Sequence, residues 1–368
     1  MIESYIIFYL LKKINFISYT SSFLYFNTFF KYRYCSSNFV KLEKRSYILL
    51  MIINYLGFDM KIKAPQNRTL QLDVAEIPSL KKKIIIVDSK VQIGKIKNKI
   101  INGDFFKVSE FLPKHFVDLL FIDPPYNLTK SYNGKIFNKM SYDNYFDWVV
   151  SWTKKIKPLL KKEASIYVCG DWRTSSIIHK VFTDNDFHVL NRITIEREKG
   201  RGSKKFWKNN SEDIWFFSNS QKYYFNADAV KLKRRVLAPY RLNGEPKDWE
   251  ESENGKFRLT YPSNIWTDIT IPFWSMPENT PHPTQKPEKL LAKILLASSK
   301  EGDMIFDPFG GVGTTAVVAQ KLGRNFVLSE LDEEYCLYAA KRLVNAKLDK
   351  SIQGYKDGYF LDRNISNQ

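Results

Sequence analysis

The stretch Phe121-Ile122-Asp123-Pro124-Pro125-Tyr126-Asn127 decides how this chain folds. It closes an apolar run that begins at Val117 and predicts a buried strand. Two consecutive prolines cannot continue a strand, because each lacks an N–H donor and fixes φ. The strand therefore ends in a stiff loop that presents a carboxylate, backbone carbonyls and an aromatic ring. Open α/β sheets bind ligands at this carboxyl edge, although the four residues from Asp123 to Tyr126 are equally compatible with a plain rigid turn.

The chemistry of this loop suits an amino group attached to a purine or pyrimidine ring. Such an amino group is planar, and its lone pair is delocalised into the ring. A protein can make it attack a methyl donor by accepting hydrogen bonds from both of its N–H groups. Asp123 offers a carboxylate oxygen and Pro124 a backbone carbonyl for this purpose. Tyr126 offers a flat face on which a base can stack, worth roughly 1–3 kcal/mol.

Asp-Pro-Pro-Tyr after a hydrophobic strand resembles the catalytic motif of amino-methylating DNA methyltransferases, which act on adenine N6 or cytosine N4. The resemblance implies that Asp123, Pro124, Pro125 and Tyr126 are the catalytic residues. The Asp form is similar to the adenine enzymes, whereas the cytosine-N4 enzymes more often carry Ser at the first position.

A second motif is the glycine-rich loop Asp307-Pro308-Phe309-Gly310-Gly311-Val312-Gly313-Thr314-Thr315. It follows a predicted strand at 303–306 and precedes a predicted helix at 316–322, and the next strand, 326–329, ends before Glu330 and Asp332. The spacing Gly-x-Gly-x-x-Ala has the form of the dinucleotide fingerprint, which leaves NAD, FAD and S-adenosylmethionine (AdoMet) open. The carboxylate of Asp307 disfavours a pyrophosphate at this place and suits the α-ammonium group of AdoMet.

A third motif, His282-Pro283-Thr284-Gln285-Lys286-Pro287, precedes a predicted helix at 288–298. The second and third motifs resemble the AdoMet-binding elements of the same family. The catalytic loop comes first and the AdoMet loop last, which is the order of the β group, whose members are often part of restriction-modification systems. The resemblance covers about residues 96–347. It implies that AdoMet contacts Asp104, Phe105, Asp123, Lys286, Asp307, Phe309, Gly310, Gly311, Gly313, Thr314, Thr315, Glu330, Leu331 and Asp332.

Asp104 follows a short predicted strand about 20 residues before the catalytic motif. In the family, an acidic residue at this point holds the adenine amino group of AdoMet. A helix N-cap or turn residue is the other explanation of Asp104.

The alternation of predicted strands and helices indicates an α/β fold. We expect a doubly wound, mostly parallel seven-stranded sheet of the AdoMet-dependent methyltransferase type. Further elements are a helix at 141–160 with Ser141 as its N-cap, and strands at 165–169, 189–195 and 213–217.

Three boundaries divide the chain. Residues 60–347 form the expected methyltransferase domain in permuted order. Within it, residues 198–280 are expected to form a target-recognition insert with irregular loops, and residues 348–368 follow it as a C-terminal tail. Residues 1–59 are a poorly assigned extension whose apolar runs are too short to span a membrane. We expect the functional start at Met60 or Met51, with this extension upstream of it.

The charge of the chain suits a polyanionic partner. Among 368 residues, 57 Lys and Arg oppose 39 Asp and Glu, giving a formal net charge of +18. A lysine-rich coding bias or a solvated insertion would give similar numbers. The predicted DNA contacts are the basic residues of the insert: Lys199, Arg201, Lys204, Lys205, Lys208, Arg234, Arg235 and Arg241.

The positions of cysteine and histidine argue against several kinds of site. The three cysteines are far apart and none follows a proline, which argues against disulfides and against cytosine-C5 methylation. The four histidines form no ligand pattern with them, so no metal is expected. The sequence predicts an AdoMet-dependent, adenine-N6-specific methyltransferase of double-stranded DNA in the bacterial cytoplasm. A cytosine-N4 enzyme and an inactive DNA-binding protein remain as alternatives, and a homodimer and a cognate restriction endonuclease remain open.

Overall fold

A computed structural model of the chain describes residues 64–197, 204–237, 239–252 and 255–363. From Pro65 onward these residues belong to one compact unit. The predicted extension 1–59 and the predicted DNA contacts Lys199 and Arg201 lie outside the described residues.

The described residues contain eighteen strands and eight α-helices, besides three short 3-10 helices. The strands are β1 (Ile84–Ile85), β2 (Lys99–Asn102), β3 (Val117–Ile122), β4 (Lys130–Tyr132), β5 (Lys135–Phe137), β6 (Leu160–Gly170), β7 (His188–Glu196), β8 (Ser211–Ser218), β9 (Leu232–Arg235), β10 (Arg241–Leu242), β11 (Glu245–Pro246), β12 (Glu250–Ser252), β13 (Gly255–Thr260), β14 (Ile265–Trp266), β15 (Met304–Asp307), β16 (Asn325–Glu330), β17 (Tyr355–Lys356) and β18 (Tyr359–Leu361). The helices are α1 (Ile77–Lys81), α2 (Ile93–Ile96), α3 (Phe105–Val108), α4 (Tyr142–Ile156), α5 (Ser175–Asp184), α6 (Glu288–Ser298), α7 (Thr314–Lys321) and α8 (Glu333–Leu348).

The main sheet has nine strands in the order β1-β2-β16-β15-β3-β6-β8-β7-β14. Every neighbouring pair is parallel except the two pairs that involve β8, so β8 alone runs against the others. The mostly parallel methyltransferase-type sheet is confirmed. Its seven central strands are extended by the two-residue edge strands β1 and β14.

Helices cover both faces of this sheet, as parallel sheets require. Successive residues of β3 point to opposite faces. Leu119 and Phe121 pack with α6, α7 and α8, while Leu120 and Ile122 pack with α3, α4 and α5. The predicted helix start at Ser141 is confirmed, because its side chain accepts the N–H of Asn144.

A second sheet of five strands, in the order β12-β13-β9-β18-β17, follows from residues that the sequence predicted as irregular. Leu232 of β9 and Phe257 of β13 are buried. Each is next to charged residues on its own strand, and these hide the alternation of buried and exposed positions that would predict a strand. Strand β18 lies parallel to β9, and its Phe360 is fully buried. The chain beyond 348 therefore contributes two strands to this sheet.

Candidate active site

The loop after β3 lies at the carboxyl edge of the main sheet, where the two prolines end the strand. β3 pairs with β15 on one side and β6 on the other, so the loop emerges at the centre of the sheet. The hydroxyl of Tyr145 on α4 donates to the carbonyl of Pro125 at 2.9 Å and fixes the loop from below. Asp123 and Tyr126 are thus held at the edge that the sequence predicted.

Four side chains meet around the catalytic motif. The ammonium group of Lys286 lies 3.0 Å from Oδ1 of Asp123, and the hydroxyl of Tyr126 lies 3.1 Å from the same oxygen. The ammonium group also donates to Oε1 of Glu212, which extends from β8, and the single hydroxyl proton of Tyr126 is shared between this oxygen and Oδ1 of Asp123. Glu212 was missed in the sequence, because no motif includes it. Lys286 was expected to contact AdoMet, and in the structure its ammonium group also neutralises two carboxylates of the chain itself.

The burial of these groups sets their charge states. Burial raises the pKa of Asp123, and Lys286 offsets part of that effect. Burial also opposes the ionisation of Glu212, but Lys286 and Tyr126 outweigh it and lower the pKa of Glu212. Burial alone would lower the pKa of Lys286, but the two carboxylates outweigh this effect and raise it. Asp123 is therefore the more basic of the two carboxylates.

The carboxylates of Asp123 and Glu212 and the thiol of Cys169 bring three potential ligand atoms within 4.8 Å of one another. Lys286 is bonded to both carboxylates, and burial raises the pKa of the Cys169 thiol. The cluster already contains its cation, so its donor set does not suit a metal ion.

A cavity of about 490 Å³ extends from this cluster along the edge of the sheet. Of the predicted AdoMet contacts, those that line it are Asp104, Phe105, Asp123, Lys286, Phe309, Gly311, Glu330, Leu331 and Asp332, and the catalytic residues Pro124, Pro125 and Tyr126 line it too. Its far end is aromatic. Phe309 lies 5.8 Å from Phe105 and 6.1 Å from Trp148 between ring centroids. Trp148 belongs to α4, and its periodicity identified it only as a core residue.

Glu330 organises the glycine loop. One of its carboxylate oxygens accepts the N–H of Gly311 at 2.8 Å and the other accepts the N–H of Asp332 at 2.7 Å. Gly313 has φ of 77° and begins α7, and a Cβ there would lie 2.6 Å from the Cβ of Ala339. Only glycine allows α7 and α8 to approach so closely.

Five predicted AdoMet contacts do not line the cavity: Asp307, Gly310, Gly313, Thr314 and Thr315. Asp307 is buried, and its carboxylate accepts the hydroxyl of Thr315 at 2.6 Å and the N–H of Phe309 at 3.1 Å. Burial raises the pKa of Asp307 to about 7. The hydroxyl of Thr314 donates to the carbonyl of Lys286 at 3.0 Å. These residues shape the loop from behind the cavity wall.

Asp104 fits both explanations that its sequence position allowed. Its carboxylate caps α3 by accepting the N–H of Phe106 at 3.0 Å. The residue also borders the cavity beside Phe105. A helix cap and a ligand contact are compatible, since the cap uses one carboxylate oxygen.

The hairpin formed by β4 and β5 covers the cavity and was not predicted. Its tip, Asn133-Gly134, has positive φ at both residues, as a tight hairpin turn requires. The side-chain amide of Asn133 donates to Asp332 at 3.1 Å and to Glu334 at 2.9 Å. Phe137 on the same hairpin lies 5.5 Å from Trp148. The hairpin, which follows the catalytic loop, is therefore held by hydrogen bonds against the start of α8, which follows β16.

The described members of the predicted DNA-binding set lie in two segments. The first consists of Lys204, Lys205 and Lys208, all exposed between β7 and β8 beside Trp207, which is 95% exposed. The second consists of Arg234 and Arg235 on β9 and Arg241 on β10. Arg234 lies 3.8 Å from Asp362, and Arg241 lies 3.9 Å from Glu251 and stacks on Trp249.

No helix within the described ranges is long and apolar enough to span a membrane.

The chain is similar in sequence and in fold to known proteins. The sequence model of one family, described as DNA methylase, matches residues 117–341. The DNA adenine methyltransferase YhdJ of Escherichia coli (strain K12) is 33% identical over 263 residues, which cover 68% of this chain and 84% of YhdJ. The type II methyltransferase M.HpaI of Haemophilus parainfluenzae is 30% identical, with coverage of 67% and 74%. The solved structure of the PvuII DNA methyltransferase (cytosine-N4-specific) matches with a TM-score of 0.53 at 17% identity, covering 72% of this chain and 90% of that one.

Proposed function

The chain belongs to the DNA methylase family, and we propose that it transfers a methyl group from AdoMet to N6 of an adenine in duplex DNA. The observation that carries this proposal is the convergence of Asp123 and Tyr126 with the glycine loop on one cavity. One part of that cavity offers hydrogen-bond acceptors and a flat ring, and the other offers aromatic walls and carboxylates. A base and a nucleoside-containing methyl donor fit these two parts.

The base-binding part explains how an amine becomes reactive. The target adenine is flipped out of the duplex, which costs a few kcal/mol. Tyr126 stacks on the base, and Asp123 with the Pro124 carbonyl accepts the two N–H groups of its amine. As N6 bonds to the methyl carbon, Asp123 takes the proton that the amine loses. Positioning and electrostatics carry the reaction, without a covalent protein intermediate.

The other part of the cavity suits AdoMet by its donor set. AdoMet supplies a methyl group on a sulfonium, so a neutral thioether leaves. Glu330 and Asp332 offer carboxylates for the ribose hydroxyls, and Asp104 offers one for the adenine amine. Phe105, Phe309 and Trp148 offer faces and edges for the adenine ring. The buried Asp307 supports this site through the loop rather than by direct contact.

The proposed DNA contacts are the cations between β7 and β8 together with Arg234 and Arg235 on β9 and Arg241 on β10. Residues 198–280 are the proposed recognition insert. Phosphate contacts fix orientation, while Arg side chains suit base edges. Cytoplasmic location, a cognate endonuclease and a homodimer are finer parts of the same proposal. A cognate endonuclease is proposed because relatives of this chain are named type II methyltransferases.

Methyl transfer with labelled AdoMet tests the proposal. The full chain is incubated with DNA that lacks methylated bases, and the DNA is digested to nucleosides and separated. We expect the label in N6-methyladenine. Label in N4-methylcytosine would overturn the choice of base, and DNA that binds the protein but acquires no label would indicate an inactive DNA-binding protein.

A further inference from the structure

Glu212 is a buried acidic residue in the base-binding part of the cavity. It is the second residue of β8, the one strand of the main sheet that runs antiparallel to its neighbours, and it pairs with Ile195 of β7. Its side chain is 10% exposed. It accepts hydrogen bonds from both Tyr126 and Lys286, and Arg197 lies 3.9 Å from its other oxygen. A buried carboxylate with three donors around it is strongly oriented.

The orientation of Glu212 affects the two carboxylate oxygens of Asp123 differently. The shortest contacts to the Asp123 carboxylate both go to Oδ1, from Lys286 at 3.0 Å and from Tyr126 at 3.1 Å, and no described residue donates a hydrogen bond to Oδ2. Glu212 holds both of these donors from the opposite side. The remaining oxygen, Oδ2, is thereby left for the amine of the target base.

We propose that Glu212 is a positioning residue for methyl transfer, which acts by holding Lys286 and Tyr126 on one oxygen of Asp123. This inference rests on the proposed function. Without Glu212, Lys286 pairs with Asp123 alone and is free to bridge both of its oxygens. The acceptor for the substrate amine is then lost, although Asp123 itself is present.

The alternative is that Glu212 is only a counter-ion that allows Lys286 to be buried. Both explanations predict a loss of stability when its charge is removed, because that change leaves Lys286 with one partner. The two explanations differ in what they predict for the methyl-transfer rate. A counter-ion that serves folding alone leaves the methyl-transfer rate above the acid limb of the pH profile unchanged in the folded variant.

The pH profile separates a change in the charge state of Asp123 from a change in its position. The charge of Glu212 raises the pKa of Asp123, so its removal shifts the acid limb of the rate profile to lower pH. The other titratable groups that face Asp123 are Lys286, Tyr126, Lys130, Asp307, Cys169, Tyr132 and Tyr145. These remain in the variant, and the shift is therefore attributed to Glu212.

The test uses Glu212→Gln in the full chain, with Glu163→Gln on the exposed part of β6 as the matched control. Single-turnover methyl transfer to unmethylated genomic DNA is measured across pH 5.5–8.5, and AdoMet binding is measured separately. We expect the rate to fall about 10- to 100-fold, as for a misplaced reacting group. We expect AdoMet affinity to change less than about twofold, and the acid limb to move to lower pH.

Tyr126→Phe supplies an independent arm, because it keeps the ring and removes the hydroxyl that joins Glu212 to Asp123. It should lower the rate, and Glu212→Gln should cost less in that background than in the wild type. Equal costs in both backgrounds would overturn the inference. If Glu212→Gln did not fold, a Tyr126→Phe rate equal to that of the wild type would overturn it alone. A wild type without any transfer would overturn both proposals, whereas active wild type and equally active Glu212→Gln would overturn only this one.

Discussion

Asp307 provides a quantitative test of how the glycine loop is built. Its carboxyl group is 3% exposed, and burial raises its pKa from the ordinary value of 3.8 to about 7. The unfolded chain therefore loses the proton near pH 4, but the folded chain keeps it until about pH 7. Between these values the folded state binds more protons, so the stability falls as the pH rises.

We expect the substitution Asp307→Asn to remove this dependence. At 1.36 kcal/mol per pH unit, the carboxylate costs the folded wild type about 2.5 kcal/mol more at pH 8 than at pH 5. Any fixed cost of the amide, such as altered bonding to Thr315, is the same at both pH values and cancels.

Urea unfolding of the wild type, Asp307→Asn and the control Asp147→Asn, whose carboxyl group is exposed on α4, measures this difference. The stability of the variant relative to the wild type should increase by about 2.5 kcal/mol from pH 5 to pH 8, and that of the control should stay constant. A difference for Asp307→Asn that is flat across this range would refute the account of a carboxyl group held protonated by burial.

Three further outcomes are expected. Glu330→Ala should weaken AdoMet binding at least about tenfold, because the N–H groups of Gly311 and Asp332 lose their acceptors; an unchanged dissociation constant in calorimetry would contradict the assigned role. Asn133→Ala should speed AdoMet dissociation several-fold by releasing the hairpin from Asp332 and Glu334; stopped-flow displacement measures this, and an unaltered rate would show that the hairpin does not retain AdoMet. DNA affinity should fall at least about tenfold between 50 and 200 mM salt, given the formal net charge of +18; salt-independent binding in fluorescence anisotropy would contradict phosphate contacts.

Local signals in the sequence located the main features of the site. Two prolines after an apolar run can only end a strand, so the place of Asp123 at the sheet edge followed directly. Ser141 before a 3.6-residue periodicity predicted the start of α4, which holds the catalytic loop through Tyr145. Motifs whose function depends on the local backbone were therefore predictable.

Features that depend on long-range register were not predictable. Glu212 reaches Tyr126 across 86 residues, and only the pairing of β8 with its neighbours decides that its side chain faces the cavity. A carboxylate in a glycine-rich loop can face a ligand or the protein interior, and the sequence does not distinguish these for Asp307. Its bond to Thr315 turns it inward. The same limit applied to Lys286, whose two carboxylate partners come from distant segments.

The central claim is that this chain methylates adenine N6 in DNA through Asp123. Long-read sequencing of DNA from methylation-free cells that express the chain, compared with cells that express Asp123→Ala, tests it most directly. We expect N6-methyladenine at one short recurring sequence in the first sample and none in the second. The same modification in both samples, or no modified base with folded protein in either, would contradict it.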